Sequence, residues 1–219
     1  GKMKIASIES IPLSYTPKRP PRDGLSGIAR RDVFLVKITT DEGIEGIGEG
    51  FALGSLYSTA MIVEEILKPI LLGEDPEHIE EIWQRMYRTT FRVGRRGIVV
   101  AAISAVDIAL WDILGKKAGM PVYKLLGGAK RSLHAYASAG YYLEGKDLQE
   151  LYEEMAGYRK QGFKAVKMKV GGDTFEMDVE RVRTAREALG PDIKLAVDAN
   201  NAWDYTTALR FARAIEPYD

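Results

Sequence analysis

The stretch Ala165-Val-Lys-Met-Lys-Val-Gly171 is the part of the chain that first indicates a functional site. It has the composition of a buried strand, yet it carries two lysines, Lys167 and Lys169, two residues apart. Residues two apart on a strand point to the same face, so we expect both ammonium groups to project together. Two like charges among apolar neighbours are costly unless the protein uses them. The pattern therefore predicts a functional site on this strand.

A second strand of the same kind follows about thirty residues later. It reads Leu195-Ala-Val-Asp-Ala-Asn200, and we predict that Asp198 and Asn200 share one face at its polar end. In parallel α/β folds, the ligand-binding residues lie at the carboxyl ends of the strands. The two stretches therefore predict one shared site.

Strands and helices alternate in the second half of the chain. We predict strands over 133–139, 165–170 and 194–198, and helices over 147–161, 174–189 and 204–215. Such alternation favours a parallel sheet. A spacing of about thirty residues per unit fits a (β/α)8 TIM-type barrel, but a flavodoxin-like sheet has the same rhythm. Periodicity alone leaves both open.

The first half has a different organisation. Alternating apolar residues predict strands over 3–15, 31–40 and 44–50, and helical patterns cover 59–72, 77–90, 98–117 and 121–128. The helix over 98–117 is apolar almost all round, which is typical of a buried central helix. A change of composition near Ala129 predicts two domains, 1–130 and 131–219. The loop 16–31, rich in Pro, Gly and Arg, is long enough to be a lid.

Composition excludes several classes of function. The 31 basic residues balance 31 acidic residues, which argues against nucleic acid as a partner. There is no cysteine, so thiolate metal sites and disulfides are impossible. We expect that no apolar run approaches the ~20 residues of a membrane span, and no signal peptide is recognisable at the start. We therefore expect a cytoplasmic protein without membrane contact.

Two longer motifs connect these observations to a known family. The run Ala102-Ile-Ser-Ala-Val-Asp-Ile-Ala-Leu-Trp-Asp-Ile-Leu-Gly-Lys116, followed by Gly119-Met-Pro-Val-Tyr-Lys-Leu-Leu-Gly-Gly128, resembles the mandelate racemase/muconate-lactonising branch of the enolase superfamily. The Lys-x-Lys at 167–169 and the Asp-x-Asn at 198–200 match that branch in order and spacing. Together the motifs are specific, and the resemblance covers essentially the whole chain.

The resemblance implies a fold and a reaction. It implies an α+β capping domain, made of a three-stranded antiparallel sheet and a helical bundle, followed by a modified TIM barrel. Family members bind Mg²⁺ and abstract the proton alpha to a carboxylate through an enediolate. The loops at 16–31 and 51–58 would cap the barrel mouth and help to select the substrate.

The resemblance also implies that about three of the eight βα units lie in this chain. The remaining metal carboxylates and the second acid/base group would then come from a missing C-terminal part of the barrel or from a complementing chain. We expect residues 1–219 alone to be inactive, and the assembled protein to be a homo-oligomer. A truncated fragment or folding module without catalysis is the alternative from another class.

Within this family pattern, Lys169 is the predicted general base. A free lysine is about three pKa units too basic for that role near pH 7. A neighbouring ammonium and partial burial both favour the neutral amine, and Lys167 supplies the neighbour. Lys167 is also a candidate contact for the substrate carboxylate. The structural alternative is a pair of lysines that extend along apolar surface into water.

Three further residues complete the predicted site. Asp198 is the predicted Mg²⁺ ligand, because Mg²⁺ prefers oxygen ligands and commonly takes one or two carboxylates. Asn200 is predicted to bind a substrate oxygen, and a helix N-cap at Asn200 or Asp204 is the structural alternative. Tyr141 is a candidate for the lining of the barrel mouth, and packing is its alternative. The predicted activity is dehydration of an acid sugar, with racemisation, epimerisation or cycloisomerisation of related carboxylates as alternatives.

Overall fold

An antiparallel sheet opens the chain in the computed structural model, which describes residues 2–219. Its strands are β1 (Ile5–Tyr15), β2 (Arg31–Thr40) and β3 (Glu45–Gly50), in the order β1-β2-β3. Strands β2 and β3 form a hairpin, and Phe34, Val36 and Ile38 of the central strand are fully buried. This is the three-stranded capping sheet that the sequence predicts.

Helices cover one face of this sheet. They are α1 (Leu56–Ile62), a π-helical turn (Val63–Leu67), α2 (Lys68–Leu71), α3 (Ile79–Thr90), α4 (Ile98–Ala118) and α5 (Val122–Leu125). The first helix begins three residues before the predicted start at Thr59, so the predicted loop over 51–58 is shorter than expected. The helix α4 provides many of the fully buried side chains of this core.

Helix α4 lies directly against β3 because β3 presents alternate glycines. A Cβ built on Gly46 or Gly48 would fall 2.1 or 1.9 Å from the carbonyl oxygens of Ala109 and Ala105. Two strand residues span about 6.6 Å and four helix residues span about 6 Å. Every second residue of β3 can therefore contact every fourth residue of α4. Any side chain at these glycines would force the helix away from the sheet.

By length and composition alone, α4 could cross a membrane, which corrects the expectation that no apolar run comes near that length. In the structure, half of its most apolar window is buried inside the protein. Its mostly small and aliphatic buried residues pack on the sheet and on neighbouring helices. The helix is therefore accounted for as the core helix of this unit, as its all-round apolar pattern predicts.

The second half is a parallel sheet with alternating helices, as the spacing of its elements predicts. The strands β4 (Ala137–Ala139), β5 (Ala165–Lys169) and β6 (Lys194–Asp198) pair in that order. Helices α6 (Leu148–Lys160), α7 (Phe175–Leu189) and α8 (Tyr205–Ile215) follow them, and a 3-10 turn (Glu216–Tyr218) comes last. This is the first part of a TIM-type barrel. The predicted strand over 133–139 was too long, since residues 133–136 are exposed and outside the sheet.

Each of these three helices begins with a side-chain cap. Asp147, Thr174 and Asp204 accept a hydrogen bond from the backbone N–H three residues later. Such caps satisfy one of the unpaired donors in the first helical turn. Each capping residue is the last residue of the loop between a strand and its helix. The three caps therefore mark the ends of the loops that follow the strands.

Contacts divide the chain into two compact units. Arg31–Arg131 groups with the first strand, while Thr16–Arg30 groups with Ser132–Asp219. The linear division predicted at 130/131 omits this loop, which by its contacts belongs to the barrel unit. The loop that the sequence singles out as a lid is thus part of the unit that carries the two lysines.

Candidate active site

The ladder between β5 and β6 brings the predicted residues together. Lys169 is the register partner of Asp198, and Lys167 is the partner of Ala196. Register partners in a parallel sheet present their side chains on the same face. The Nζ atoms of Lys169 and Lys167 lie 2.9 and 3.3 Å from Oδ2 of Asp198. The two lysines and the carboxylate therefore form one cluster at the ends of adjacent strands.

Burial and charge set the ionisation of this cluster. The pKa of Asp198 is lowered to about 2. The hydrogen bond from Lys169 is the largest cause, and the hydrogen bonds from the Asn200 backbone N–H and from Lys167 add to it. Burial disfavours the charged form of Lys167, but the hydrogen bonds and charges of Asp198 and Tyr136 outweigh it, so the pKa of Lys167 is raised. Asp198 is consequently ionised at neutral pH. From the sequence we considered the neighbouring ammonium and partial burial of the lysines, but not the charge of this carboxylate between them.

Aromatic rings flank both ammonium groups. The Nζ of Lys169 lies 5.1 Å from the ring centroid of Tyr141, and that of Lys167 lies 5.4 Å from the ring of Tyr136. Both distances are within the range of cation–π attraction. The structure thus places the predicted Tyr141 at the site. We did not predict Tyr136 from the sequence. Its position directly before β4, the strand next to β5, could have indicated it.

Asn200 does not continue the strand, which corrects the prediction that it shares a strand face with Asp198. Strand β6 ends at Asp198, and both Asn200 and Asn201 have left-handed backbone conformations, with φ of 50° and 65°. Asparagine tolerates this region better than most residues. The Asn200 N–H donates to Oδ1 of Asp198 at 2.9 Å, so a tight turn reverses the chain beside the carboxylate.

The side chain of Asn200 nevertheless retains an unused hydrogen-bond acceptor. Its Oδ1 is buried and has no hydrogen-bond partner among the residues that the structure describes. A buried acceptor without a donor is costly, and in native proteins it usually has a reason. Asp204, rather than Asn200, caps α8, so the N-cap alternative for Asn200 is wrong.

The donors of this cluster fit a divalent cation only in part. Asp198 offers an ionised carboxylate, the ligand type that Mg²⁺ prefers. Within residues 2–219, however, no group of three or more His, Cys, Asp or Glu side chains is arranged to hold a metal. Asp198 is therefore the residue of this chain that could contribute one ligand, and further ligands are needed to complete such a site.

The loop 16–30 lies on the ends of the same strands. A Cβ built on Gly24 would come within 2.7 Å of the carbonyl oxygens of both Val170 and Ala199. Arg22 pairs with Tyr142 through two backbone hydrogen bonds, and its guanidinium donates to the carbonyl of Gly172. The loop is seated next to the lysine cluster, as expected of a segment that caps the barrel mouth.

A capping sheet with its helices, followed by parallel strands that carry lysines and a carboxylate at their ends, defines a capped α/β-barrel protein. Comparison with known families identifies it further. Residues 9–127 match the family described as Mandelate racemase / muconate lactonizing enzyme, N-terminal domain, and residues 150–219 match the Enolase C-terminal domain-like family. The chain belongs to the mandelate racemase/muconate lactonizing enzyme branch of the enolase superfamily.

Individual relatives agree with this assignment. An arabinonate dehydratase of Saccharolobus solfataricus is 47% identical over 216 residues, which cover 97% of this chain and 58% of that protein. A 3,6-anhydro-alpha-L-galactonate cycloisomerase of Streptomyces coelicolor is 40% identical over 189 residues, 86% of this chain and 52% of that protein. The crystal structure of a racemase from Streptomyces coelicolor A3(2) with bound magnesium is 35% identical with a TM-score of 0.92, and the match covers 98% of this chain and 60% of that one. The chain spans about half the length of the curated relatives it matches.

Proposed function

We propose that the protein abstracts the proton alpha to a carboxylate, with Lys169 as the general base. The observation that carries this proposal is the cluster of Lys169, Lys167 and Asp198 at the carboxyl ends of two adjacent parallel strands. The side chain of Lys169 is only 6% exposed, whereas that of Lys167 is 25% exposed. A charged cluster that includes a buried lysine is costly to maintain without a use.

The two lysines have different tasks in this proposal. Lys169 is held by a single short contact to Asp198 and by the nearby ring of Tyr141, which restricts where its amine can point. A base must reach its proton within hydrogen-bond distance, so this restriction favours proton transfer. Lys167 is more exposed and keeps its positive charge, which suits contact with the substrate carboxylate.

We further propose Mg²⁺ as the cofactor, with Asp198 as one of its ligands. When bound, the cation would supply positive charge beside the substrate carboxylate, where negative charge develops as the proton leaves. Support comes from the low pKa of Asp198 and from the magnesium in the related racemase structure. The other metal ligands would come from the part of the barrel that the matched relatives have in addition.

The substrate we propose is an acid sugar, and the reaction is its dehydration. Relatives that match over most of this chain are called arabinonate dehydratase and L-talarate/galactarate dehydratase, which supports this choice. Removal of the alpha proton and loss of the beta hydroxyl leave an enol, which becomes a 2-oxo acid. The orphaned Oδ1 of Asn200 would accept a hydrogen bond from a substrate hydroxyl, and Tyr141 would line the site.

Alternatives within the branch share the first step. A relative named as a cycloisomerase and a structural neighbour named as a racemase keep cycloisomerisation, racemisation and epimerisation open. A non-catalytic fragment or folding module is the alternative of another class. We also propose a cytoplasmic homo-oligomer with a small carboxylate as its ligand, without a nucleic-acid or membrane partner.

The test is an incubation of the whole protein with a panel of sugar acids in deuterated solvent containing Mg²⁺, followed by NMR. Dehydration predicts loss of the substrate and a 2-oxo acid product that carries solvent deuterium at the former beta carbon. Exchange without a 2-oxo acid would favour racemisation or epimerisation. Neither exchange nor product with any acid of the panel, from a folded protein loaded with Mg²⁺, would contradict the proposed function.

A further inference from the structure

The backbone directly after the proposed base is held by side chains from three distant parts of the chain. Gly171 N–H donates to Oδ2 of Asp178 at 2.8 Å, and Gly172 N–H donates to the hydroxyl of Tyr142 at 3.0 Å. The carbonyl of Gly172 accepts from Nη1 of Arg22 at 2.8 Å. Three hydrogen bonds thus fix two consecutive glycines, whose backbone has no side chain of its own to restrict it.

Tyr142 is the centre of this arrangement. Its hydroxyl donates to Oδ1 of Asp178 at 2.5 Å, and Asp178 is 1% exposed. The guanidinium carbons of Arg22 and Arg181 lie 4.6 and 4.1 Å from the centroid of its ring, within cation–π distance. The backbone N–H and carbonyl of Tyr142 also exchange hydrogen bonds with those of Arg22.

Arg181 extends the same network to the base itself. Its buried Nη2 donates to the carbonyl of Gly140 at 2.7 Å and to the carbonyl of Lys169 at 3.3 Å. Gly140 directly follows β4, and Lys169 is the last residue of β5. The Lys169 N–H also donates to the carbonyl of Gly140, so Arg181 reinforces the last backbone contact between the two strand ends.

We propose that Arg22, Tyr142, Asp178 and Arg181, called here the rim clamp, position Lys169 for proton abstraction. The inference rests on the proposed function and names Arg22 and Tyr142 as positioning residues. The clamp holds the carbonyl of Lys169 and the backbone of Gly171 and Gly172, so the amine of Lys169 starts from a fixed backbone. Because Arg22 belongs to the loop 16–30, this loop supplies one of the hydrogen bonds that order the backbone after the base.

The loop supplies a matched control. Arg19 lies three residues before Arg22 and also anchors the loop to the barrel unit, through Glu150 at 2.6 Å and the carbonyl of Glu144 at 2.8 Å. It makes no hydrogen bond to the segment after β5 among the contacts of the described residues. Arg19→Met and Arg22→Met each remove one loop anchor, but only the second one removes a hydrogen bond of the rim clamp.

The experiment measures two quantities on the whole protein for the wild type, Arg19→Met, Arg22→Met and Tyr142→Phe. The first is amide hydrogen exchange of the peptide that covers 170–173, without substrate. The second is kcat and KM for a sugar acid, together with exchange of its alpha proton. Tyr142→Phe is the second clamp variant, because it removes the hydrogen bond to Oδ1 of the buried Asp178 and the acceptor of the Gly172 N–H.

Arg22→Met and Tyr142→Phe should speed amide exchange over 170–173 about ten-fold, because each removes a hydrogen bond that holds this backbone closed. They should lower kcat by about ten-fold or more with KM nearly unchanged, since misplacement by about 1 Å can cost a factor of ~100. Arg19→Met should change neither quantity more than about two-fold.

Three results would overturn the rim clamp: equal losses of kcat in both arginine variants, faster amide exchange with unchanged kcat, or a raised KM with unchanged kcat. The last would make Arg22 a substrate contact. A folded wild type that exchanges no alpha proton would instead overturn the proposed function, and a catalytic role of the clamp with it. The amide-exchange arm separates these cases, because it needs no substrate.

Discussion

Lys169 and Asp198 are register partners on adjacent parallel strands, with Nζ 2.9 Å from Oδ2. Lys167, two residues earlier on the same strand face, approaches the same oxygen at 3.3 Å. One carboxylate oxygen thus receives two ammonium groups while the second oxygen closes the turn at Asn200. The cluster is pre-formed within the chain, and the loop 16–30 lies on the strand ends beside it.

The packing of the loop 16–30 against the strand ends can be tested by substitution of its glycines. Gly24→Ala would place a Cβ 2.7 Å from two backbone oxygens, which cannot move aside as a flexible side chain can. We expect it to displace the loop and to cost about 1–3 kcal/mol of stability, the usual range for overpacking. Protease cleavage after Arg22, followed by mass spectrometry, measures the displacement.

Gly27→Ala is the control for this change. It lies in the same loop, and a Cβ there would meet nothing within 4 Å. Its cleavage rate and its stability should stay close to those of the wild type. Equal behaviour of the two variants would contradict the seated loop. Whether the loop also closes further over a bound ligand, as its composition predicts, would appear as slower cleavage with a saturating substrate analogue.

The cap of α8 predicts a dependence on acid. The backbone N–H of Thr207 donates to Asp204 and holds the pKa of Asp204 below its ordinary value of 3.8. A carboxyl with a lowered folded-state pKa stabilises the fold above its unfolded pKa, and this contribution is lost as the pH falls through the lowered value. The wild type should therefore lose stability below about pH 4 through this group.

Asp204→Asn tests that dependence, because asparagine caps a helix about as well as aspartate but does not titrate in this range. Urea unfolding of both proteins at pH 7 and pH 3 gives the comparison. Between pH 7 and pH 3, the urea midpoint of the wild type should fall by more than the midpoint of the asparagine variant. An identical loss of stability in both proteins would show that the cap does not contribute to the acid sensitivity.

A further prediction concerns metal binding by residues 1–219 alone. Asp198 is a single carboxylate, and Mg²⁺ gives up its water reluctantly unless several oxygen ligands are arranged around it. Calorimetric titration of this polypeptide should therefore show weak binding, and Asp198→Asn should abolish what remains. Light scattering should show association, because the outer edges of β4 and β6 lack a neighbouring strand among the described residues. Tight binding by a monodisperse monomer would contradict this account of the site.

The sequence predicted the part of the site that depends on local pattern. The period of two in β5 placed Lys167 and Lys169 on one face, and the matching strand placed Asp198 beside them. Local patterns also predicted the strands of both sheets and the buried helix α4, whereas the capping domain and the barrel were implied by the family resemblance. The domain division, the catalytic roles and the partners stay predictions.

What the sequence could not provide were contacts between distant residues and the backbone of turns. Arg22 and Gly172 are 150 residues apart in the sequence, and Tyr142 and Asp178 are 36 apart. A local sequence pattern therefore cannot predict the rim clamp. Asn200 was assigned to a strand because its neighbours alternate, but its left-handed backbone belongs to a turn. Strand β4 was predicted too long because its first residues share the composition of a strand without finding a partner.

Substitution of Lys169 tests whether this residue removes the alpha proton. The measurement is alpha-proton exchange of an acid sugar in deuterated solvent, on the whole protein with Mg²⁺. Lys169→Ala should lower the exchange rate at least about 10²–10⁴-fold, the usual contribution of a general base. Lys167→Ala should slow turnover less severely. Lys194→Ala, at the opposite end of β6, is the matched control and should exchange like the wild type. Exchange at the wild-type rate in a folded Lys169→Ala protein would contradict the account.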